Sequence, residues 1–203
     1  MMKKVMCLLA TVFLLLGTAS LSAQEENAVK KVIPDAMTAL GNFEFDKAWS
    51  FWCEDGFVVK GGEKKTIPDM KKSGKYAQLV ELDTMRKAGS LEDLIALQRK
   101  AGYMTEKQKE QILAMPEKQK AATYRAMRQA IRMQCAMAKM GIRGMGDAVQ
   151  YKSVKITGDT AVAEIVANNP ILGNGTAEVT YKKIKGVWKV YSVLEKNNGQ
   201  EKK

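Results

Sequence analysis

The 203-residue chain contains no histidine, which removes the commonest general base at neutral pH and the commonest zinc ligand. No glycine-rich phosphate loop is present. Gly141, Gly144 and Gly146 stand before a predicted strand rather than a helix, so they read as a connection. The carboxylates are scattered, and none can be paired by spacing for acid–base work. No period suggests a repeat array. The longest apolar run, Val5 to Leu16, falls short of the roughly 20 residues that span a bilayer. These absences leave no catalytic residue, no metal site and no cofactor to assign, and the chain reads as a non-enzymatic protein.

What is present begins with an export signal. Lys3 and Lys4 form a positive start, Val5 to Leu16 an apolar centre, and Thr18 to Ala23 a small-residue cleavage region. Cleavage after Ala23 leaves a domain over 24–196 and a polar tail, 197–203, expected to be disordered. Cys7 lies inside the apolar run and not directly after it, so a soluble exported protein, periplasmic or extracellular, is expected. Of the formal charge of +11, the removed segment holds only Lys3 and Lys4. A basic balance favours an anionic partner such as lipid headgroups or polyanionic glycan, and does not bear on the fold. Two cysteines remain, Cys53 and Cys135, which an oxidising compartment would let pair. The alternative is two buried thiols packed as small apolar groups.

Helical spacing governs the first two thirds of the chain. Val29, Val32, Ile33, Ala36, Met37 and Leu40 predict a helix over Glu25 to Leu40, with Pro34 starting or kinking it and Gly41-Asn42 ending it. Phe43 to Cys53 is short and aromatic, with Phe45, Ala48, Trp49 and Trp52 on one helical face expected to dock on a sheet. Phe57 to Val59 reads as a short strand closed by Gly61-Gly62. Hydroxyl caps at Thr66, Ser90 and Thr105 then open helices, giving four: about Thr66 to Ala88, Leu91 to Ala101, Glu106 to Ala114 and Pro116 to Met140.

The last of these helices carries its charge on one narrow side, at Arg125, Arg128, Arg132, Lys139 and Arg143. From Lys118 to Gly146 there are seven basic residues and no acid. The face reads as solvated, or as a contact for an anionic surface. No aromatics interleave it beyond Tyr124, which argues against nucleic-acid recognition. Apolar residues spread over more than half of the remaining circumference, which implies packing on two sides, in the middle of the fold or against a second copy as a homodimer. Met133, Met137 and Met140, with Cys135 nearby, offer soft sulfur to Cu(I). Methionine as core filler is the preferred reading.

After Gly146 the period changes to two. Strands are expected at Tyr151 to Thr157, Thr160 to Ala167, Thr176 to Ile184 and Val187 to Leu194, with a bulge near Lys152-Ser153. Tight turns fall at Gly158-Asp159 and Lys185-Gly186. Asn174-Gly175-Thr176 matches a glycosylation acceptor and is also a good turn. The fold class is therefore α+β: N-terminal helices and a helical middle packed on a C-terminal antiparallel meander of three to four strands.

Two segments, Ala39-Leu40-Gly41-Asn42-Phe43-Glu44-Phe45-Asp46-Lys47-Ala48 and Lys182-Lys183-Ile184-Lys185-Gly186-Val187-Trp188-Lys189-Val190, resemble small exported bacterial proteins with a cystatin-like or nuclear-transport-factor-like α+β roll. The resemblance implies a curved sheet wrapped on a helix around a conical pocket. Some members are isomerases or dehydratases built on Asp, His and Tyr. With no histidine here, no catalytic residue carries over. The expectation is binding of a small ligand or an envelope protein partner, in a space lined by Trp49, Trp52, Tyr181 and Trp188. The alternative is attachment to an anionic membrane surface or glycan through the basic face.

Overall fold

The computed structural model describes residues 2–169 and 173–196, with side chains over 22–167 and 175–196. The tail read as disordered lies outside these residues. The described elements run α1 (Met2–Gly41), α2 (Phe45–Ser50), β1 (Trp52–Lys60), β2 (Glu63–Thr66), α3 (Ile67–Lys71), α4 (Gly74–Lys87), α5 (Leu91–Lys100), α6 (Glu106–Leu113), α7 (Glu117–Asp147), β3 (Val149–Thr157), β4 (Thr160–Asn169), β5 (Gly173–Ile184) and β6 (Val187–Lys196). The class is α+β as expected. Among the described residues no helix is long and apolar enough to cross a membrane.

The sheet has six strands in the order β2-β1-β6-β5-β4-β3, two more than the meander alone supplies. β3 to β6 form the expected antiparallel run, and the register shift between Tyr151 and Ser153 is the expected bulge. Lys185 and Gly186 both have positive φ, 51° and 80°, as a type I′ hairpin turn requires. Asn174 to Thr176 lies inside β5 rather than in a turn. β1 joins β6 in parallel, with Trp52 beside Val190 and Phe57 beside Ser192. The register slips between them, and a side chain at Gly56 would stand 2.9 Å from the Cys53 carbonyl. Glycine is the residue that fits this bulge. Because β1 pairs with residues far along the chain, local periodicity assigned Trp52 and Cys53 to a helix that ends at Ser50.

One face of the sheet is buried. Val29 and Val32 of α1 pack with Ala161, Ala163, Ile165, Val179, Tyr181, Trp188 and Val190, all of them buried. The alternation of β5 delivers Val179 and Tyr181 to this face. On the far side Val162, Ile184 and Val187 are exposed, so helices cover the sheet on one face only. A second apolar cluster joins α4, α5 and α7 through Met85, Ala88, Leu94, Ile131 and Cys135.

The expected caps are made. Asp69 accepts from the Thr66 amide at 2.9 Å, the Asp93 amide donates to Ser90 Oγ at 3.0 Å, and Gln108 accepts from the Thr105 amide at 2.8 Å. Among the helices that follow β2, two boundaries differ from expectation by more than a residue. Ser73 accepts from the Tyr76 amide and so splits the first predicted helix into α3 and α4. The last helix does not stop at Met140, and Gly141, Gly144 and Gly146 lie within α7 rather than in a connection. The reason is tertiary. A side chain at Gly146 would meet Met37 Cβ at 2.9 Å and Pro34 Cα at 3.3 Å, and one at Gly41 would meet the Lys139 carbonyl at 3.3 Å. α1 and α7 approach too closely for ordinary residues at these two points, and the packing gained offsets the poor helix propensity of glycine.

Gly146→Ala is therefore expected to lower unfolding free energy by about 1–3 kcal/mol. Gly144→Ala, where nothing stands within 4 Å, should raise it by up to about 1 kcal/mol. Urea unfolding of the two variants checks the pair. Equal effects would mean that the α1–α7 approach is not close.

Candidate functional site

The short helix α2 sets the most distinctive surface. Phe45 and Trp49 are one helical turn apart and project together, and Tyr76 near the start of α4 meets both edge-on, at 5.4 Å to each ring centroid. Phe43 extends the row, 6.2 Å from Phe45. Cations close both ends, Arg86 5.4 Å from the Phe43 ring and Lys71 5.4 Å from the Trp49 ring. Phe43 itself has φ of 62°, and it makes the turn that the chain needs between α1 and α2.

Two cavities share Trp49 as a wall. One, of about 440 Å³, lies between α2, β1 and α3 and is bordered by Trp52, Cys53, Glu54, Ile67 and Lys71. The other, of about 560 Å³, is an open groove between α4 and the α1–α7 pair. Its sides are Leu40, Tyr76, Leu79, Ala138, Ile142 and Met145, with Ser73 and Lys75 among the few polar members. The groove is nearly all apolar. Trp49 adds one unspent polar atom, since its indole Nε1 is buried with no hydrogen-bond partner. Such orphan donors are rare in folded proteins.

Of the four residues expected to line one space, Trp49 and Trp52 share the smaller cavity. Tyr181 and Trp188 lie in the sheet core and border neither cavity. Their polar atoms have partners within the protein. The Tyr181 and Tyr151 hydroxyls are 3.0 Å apart, and burial holds both phenols above the ordinary tyrosine range. Trp188 Nε1 donates to Glu25 at 2.6 Å, and Lys183 donates to the other oxygen of the same carboxylate at 2.6 Å. The bonds from Lys183 and then Trp188 hold the Glu25 carboxyl below the usual range. Tyr76, Leu79, Ile142 and Met145 were not singled out from sequence as site residues. The signal that could have found them is the i, i+3 spacing of each pair.

One of the five basic residues expected on a single face of α7 is used inside the protein. Arg128 reaches across to α4 and donates to the carbonyls of Arg86 at 3.1 Å and Ala88 at 2.7 Å, satisfying acceptors that the end of α4 leaves open. Arg125, Arg132, Lys139 and Arg143 are exposed. At the same end of α4, the buried Asp83 bonds Arg86 and Lys87. Burial pushes this carboxyl up, and the hydrogen bonds from Lys87 and Arg86 more than offset it, so Asp83 titrates below the ordinary range. Cys53 and Cys135 are free thiols, and burial raises both above the usual thiol range. They sit apart in the fold, Cys53 on β1 and Cys135 among the α4–α5–α7 contacts. The methionines expected to fill a core do not. Met133, Met137 and Met140 are exposed, because α7 runs along the outside and only its Ile131, Cys135 and Ile142 side faces inward.

Arg128→Ala is expected to cost about 1–2 kcal/mol, since it leaves the Arg86 carbonyl without that donor and the Ala88 carbonyl with the Tyr124 hydroxyl alone, and Arg132→Ala less than about 0.5 kcal/mol, both read by urea unfolding. Asp83→Asn should cost about 1–2 kcal/mol at about pH 7. A carboxyl whose pKa is depressed in the folded state stabilises the fold above its unfolded pKa, and that contribution fades as pH falls through the folded value. The gap between Asp83→Asn and the parent should accordingly close below about pH 4. A gap independent of pH would mean that the Asp83 charge contributes nothing.

No protein-family model and no curated protein matches the chain. Among solved structures it is similar to a provisionally assigned ketosteroid isomerase from Shewanella frigidimarina, at 9% identity and a TM-score of 0.37, covering 83% of this chain and 94% of that one. It is also similar to an NTF-2-like protein of unknown function from Shewanella oneidensis MR-1, at 9% identity and a TM-score of 0.37, covering 84% and 98%. No residue role is carried over from either.

Proposed function

We propose that the protein is an exported, non-enzymatic binding protein that takes an apolar molecule with an anionic end into the groove between α4 and the α1–α7 pair. The observation that supports this is the groove itself: about 560 Å³ of nearly unbroken apolar lining, walled by a tryptophan whose buried N–H has no partner. The volume falls in the range that holds one small molecule. The apolar sides would reward burial of a chain or ring, with Lys75 available to an anionic end. Among the lining residues only Lys75 and Tyr76 are ionisable, and as adjacent residues of α4 they do not oppose each other across a substrate. Export rests on the pattern Lys3-Lys4, Val5 to Leu16 and Thr18 to Ala23.

The test is a titration with N-phenyl-1-naphthylamine, an apolar fluorescent probe, followed by displacement with long-chain fatty acids. Binding should persist in high salt, since the contacts are apolar. Trp49→Ala should weaken it about tenfold, the loss of about 1.4 kcal/mol of contact. Ala138→Trp, which fills the groove from a half-buried position, should abolish it. No probe binding, or equal binding by both variants, would sink the proposal.

A further inference from the structure

The outer side of α7 carries a feature that stands apart from the groove's occupant. Met133, Met137 and Met140 are 59, 59 and 67% exposed, and their spacing of four and then three residues aligns them on one stripe. Ala126, Ala130 and Gly144, also exposed, continue it at the same spacing. The stripe lies opposite the buried Ile131, Cys135 and Ile142. Methionine ordinarily serves as adaptable core filler. Three in a row on the surface make an apolar patch of the kind that marks an interaction site.

The surroundings select what that is. About a quarter-turn from the stripe stand Arg125, Arg132, Lys139 and Arg143, all exposed, with no acid between Lys118 and Gly146. A Cu(I) ion on the thioethers would gain no neutralising charge there, and Cys135 is buried on the opposite side. A second copy would bring the same sign of charge. The stripe also offers on the order of a few hundred Å², against about 800 Å² per partner in a stable complex. A protein partner would have to bring both a groove for the methionines and acids for the flanking cations. An anionic bilayer surface supplies both. It accepts an apolar stripe to shallow depth and rewards flanking Lys and Arg by attraction to anionic headgroups.

We propose that this face of α7 seats the protein on an anionic phospholipid surface, the methionines entering the headgroup–acyl boundary while Arg125, Arg132, Lys139 and Arg143 meet lipid phosphates. Flotation of the full protein with vesicles tests this. Binding is expected to phosphatidylcholine mixed with phosphatidylglycerol and not to phosphatidylcholine alone, and it should weaken steeply with salt. Arg125→Glu with Arg132→Glu should reduce it by at least about tenfold. Met137→Gln with Met140→Gln should reduce it by about fivefold while leaving the circular dichroism spectrum and urea midpoint unchanged. Trp49→Ala should bind vesicles like the parent, which separates this proposal from the groove. The proposal is overturned by failure to bind the mixed vesicles, by equal binding to the neutral ones, or by the paired methionine variant binding as well as the parent. A dimer in sedimentation that the methionine variant dissociates, or retention on polyglutamate without vesicle binding, would overturn it in favour of a second copy or an acidic protein.

Discussion

The close approach of α1 to α7 is the contact on which the rest depends. α1 carries Val29 and Val32 into the sheet core, while α7 carries Ile131 and Cys135 into the helical cluster. Neither cluster is large. They act as one body because Gly146 lets Pro34 and Met37 come within contact of the α7 backbone, and Gly41 does the same for the backbone at Lys139. A methyl group at Gly146 would push the two layers apart, and protein interiors transmit such a displacement rather than absorb it.

The groove is a consequence of the same geometry. Leu40 lines it from the end of α1, and Ala138, Gly141, Ile142 and Met145 line it from α7. α4 crosses nearby but is held at its far end, where Arg128 fastens the carbonyls of Arg86 and Ala88 and Asp83 gathers Arg86 and Lys87. Its near end meets α2 through Tyr76, Phe45 and Trp49 instead. The groove opens beside that aromatic wedge, where Lys75, Tyr76 and Leu79 of α4 line it together with Ala138, Gly141 and Ile142 of α7, while Leu82 and Met85 farther along α4 pack with Ile131 and Cys135. The small Ala138 and Gly141 leave the gap open.

Local chemistry accounts for what could be read without coordinates. The capping residues Thr66, Ser90 and Thr105, the hairpin turn at Lys185-Gly186 and the bulge after Tyr151 each involve neighbours within a few residues, so their signals are short-range. The alternation in β5 sets Val179 and Tyr181 on one face for the same reason, but that this face is sheet core and not the wall of a ligand space was decided by packing. Trp49 stood out from its place in an aromatic stretch, and it borders both cavities. Its partner Tyr76 did not, because what joins them is the packing of α2 on α4.

The sequence by itself determined the α+β class, the order of helices and meander, the ends of most elements and the sign of the charge on α7, since periodicity, caps and charge are written in adjacent residues. Tertiary structure decided which faces met. It turned three glycines that resembled a linker into the last turns of a helix, because one of them lies against Pro34 and Met37. It drew Trp52 and Cys53 into a strand, because β6 offered an open edge to pair with. It moved the methionines of α7 from expected core to surface, because a helix with two apolar sides buries only the one its neighbours reach. Free energy of burial depends on what arrives from elsewhere in the chain, and no local pattern encodes that.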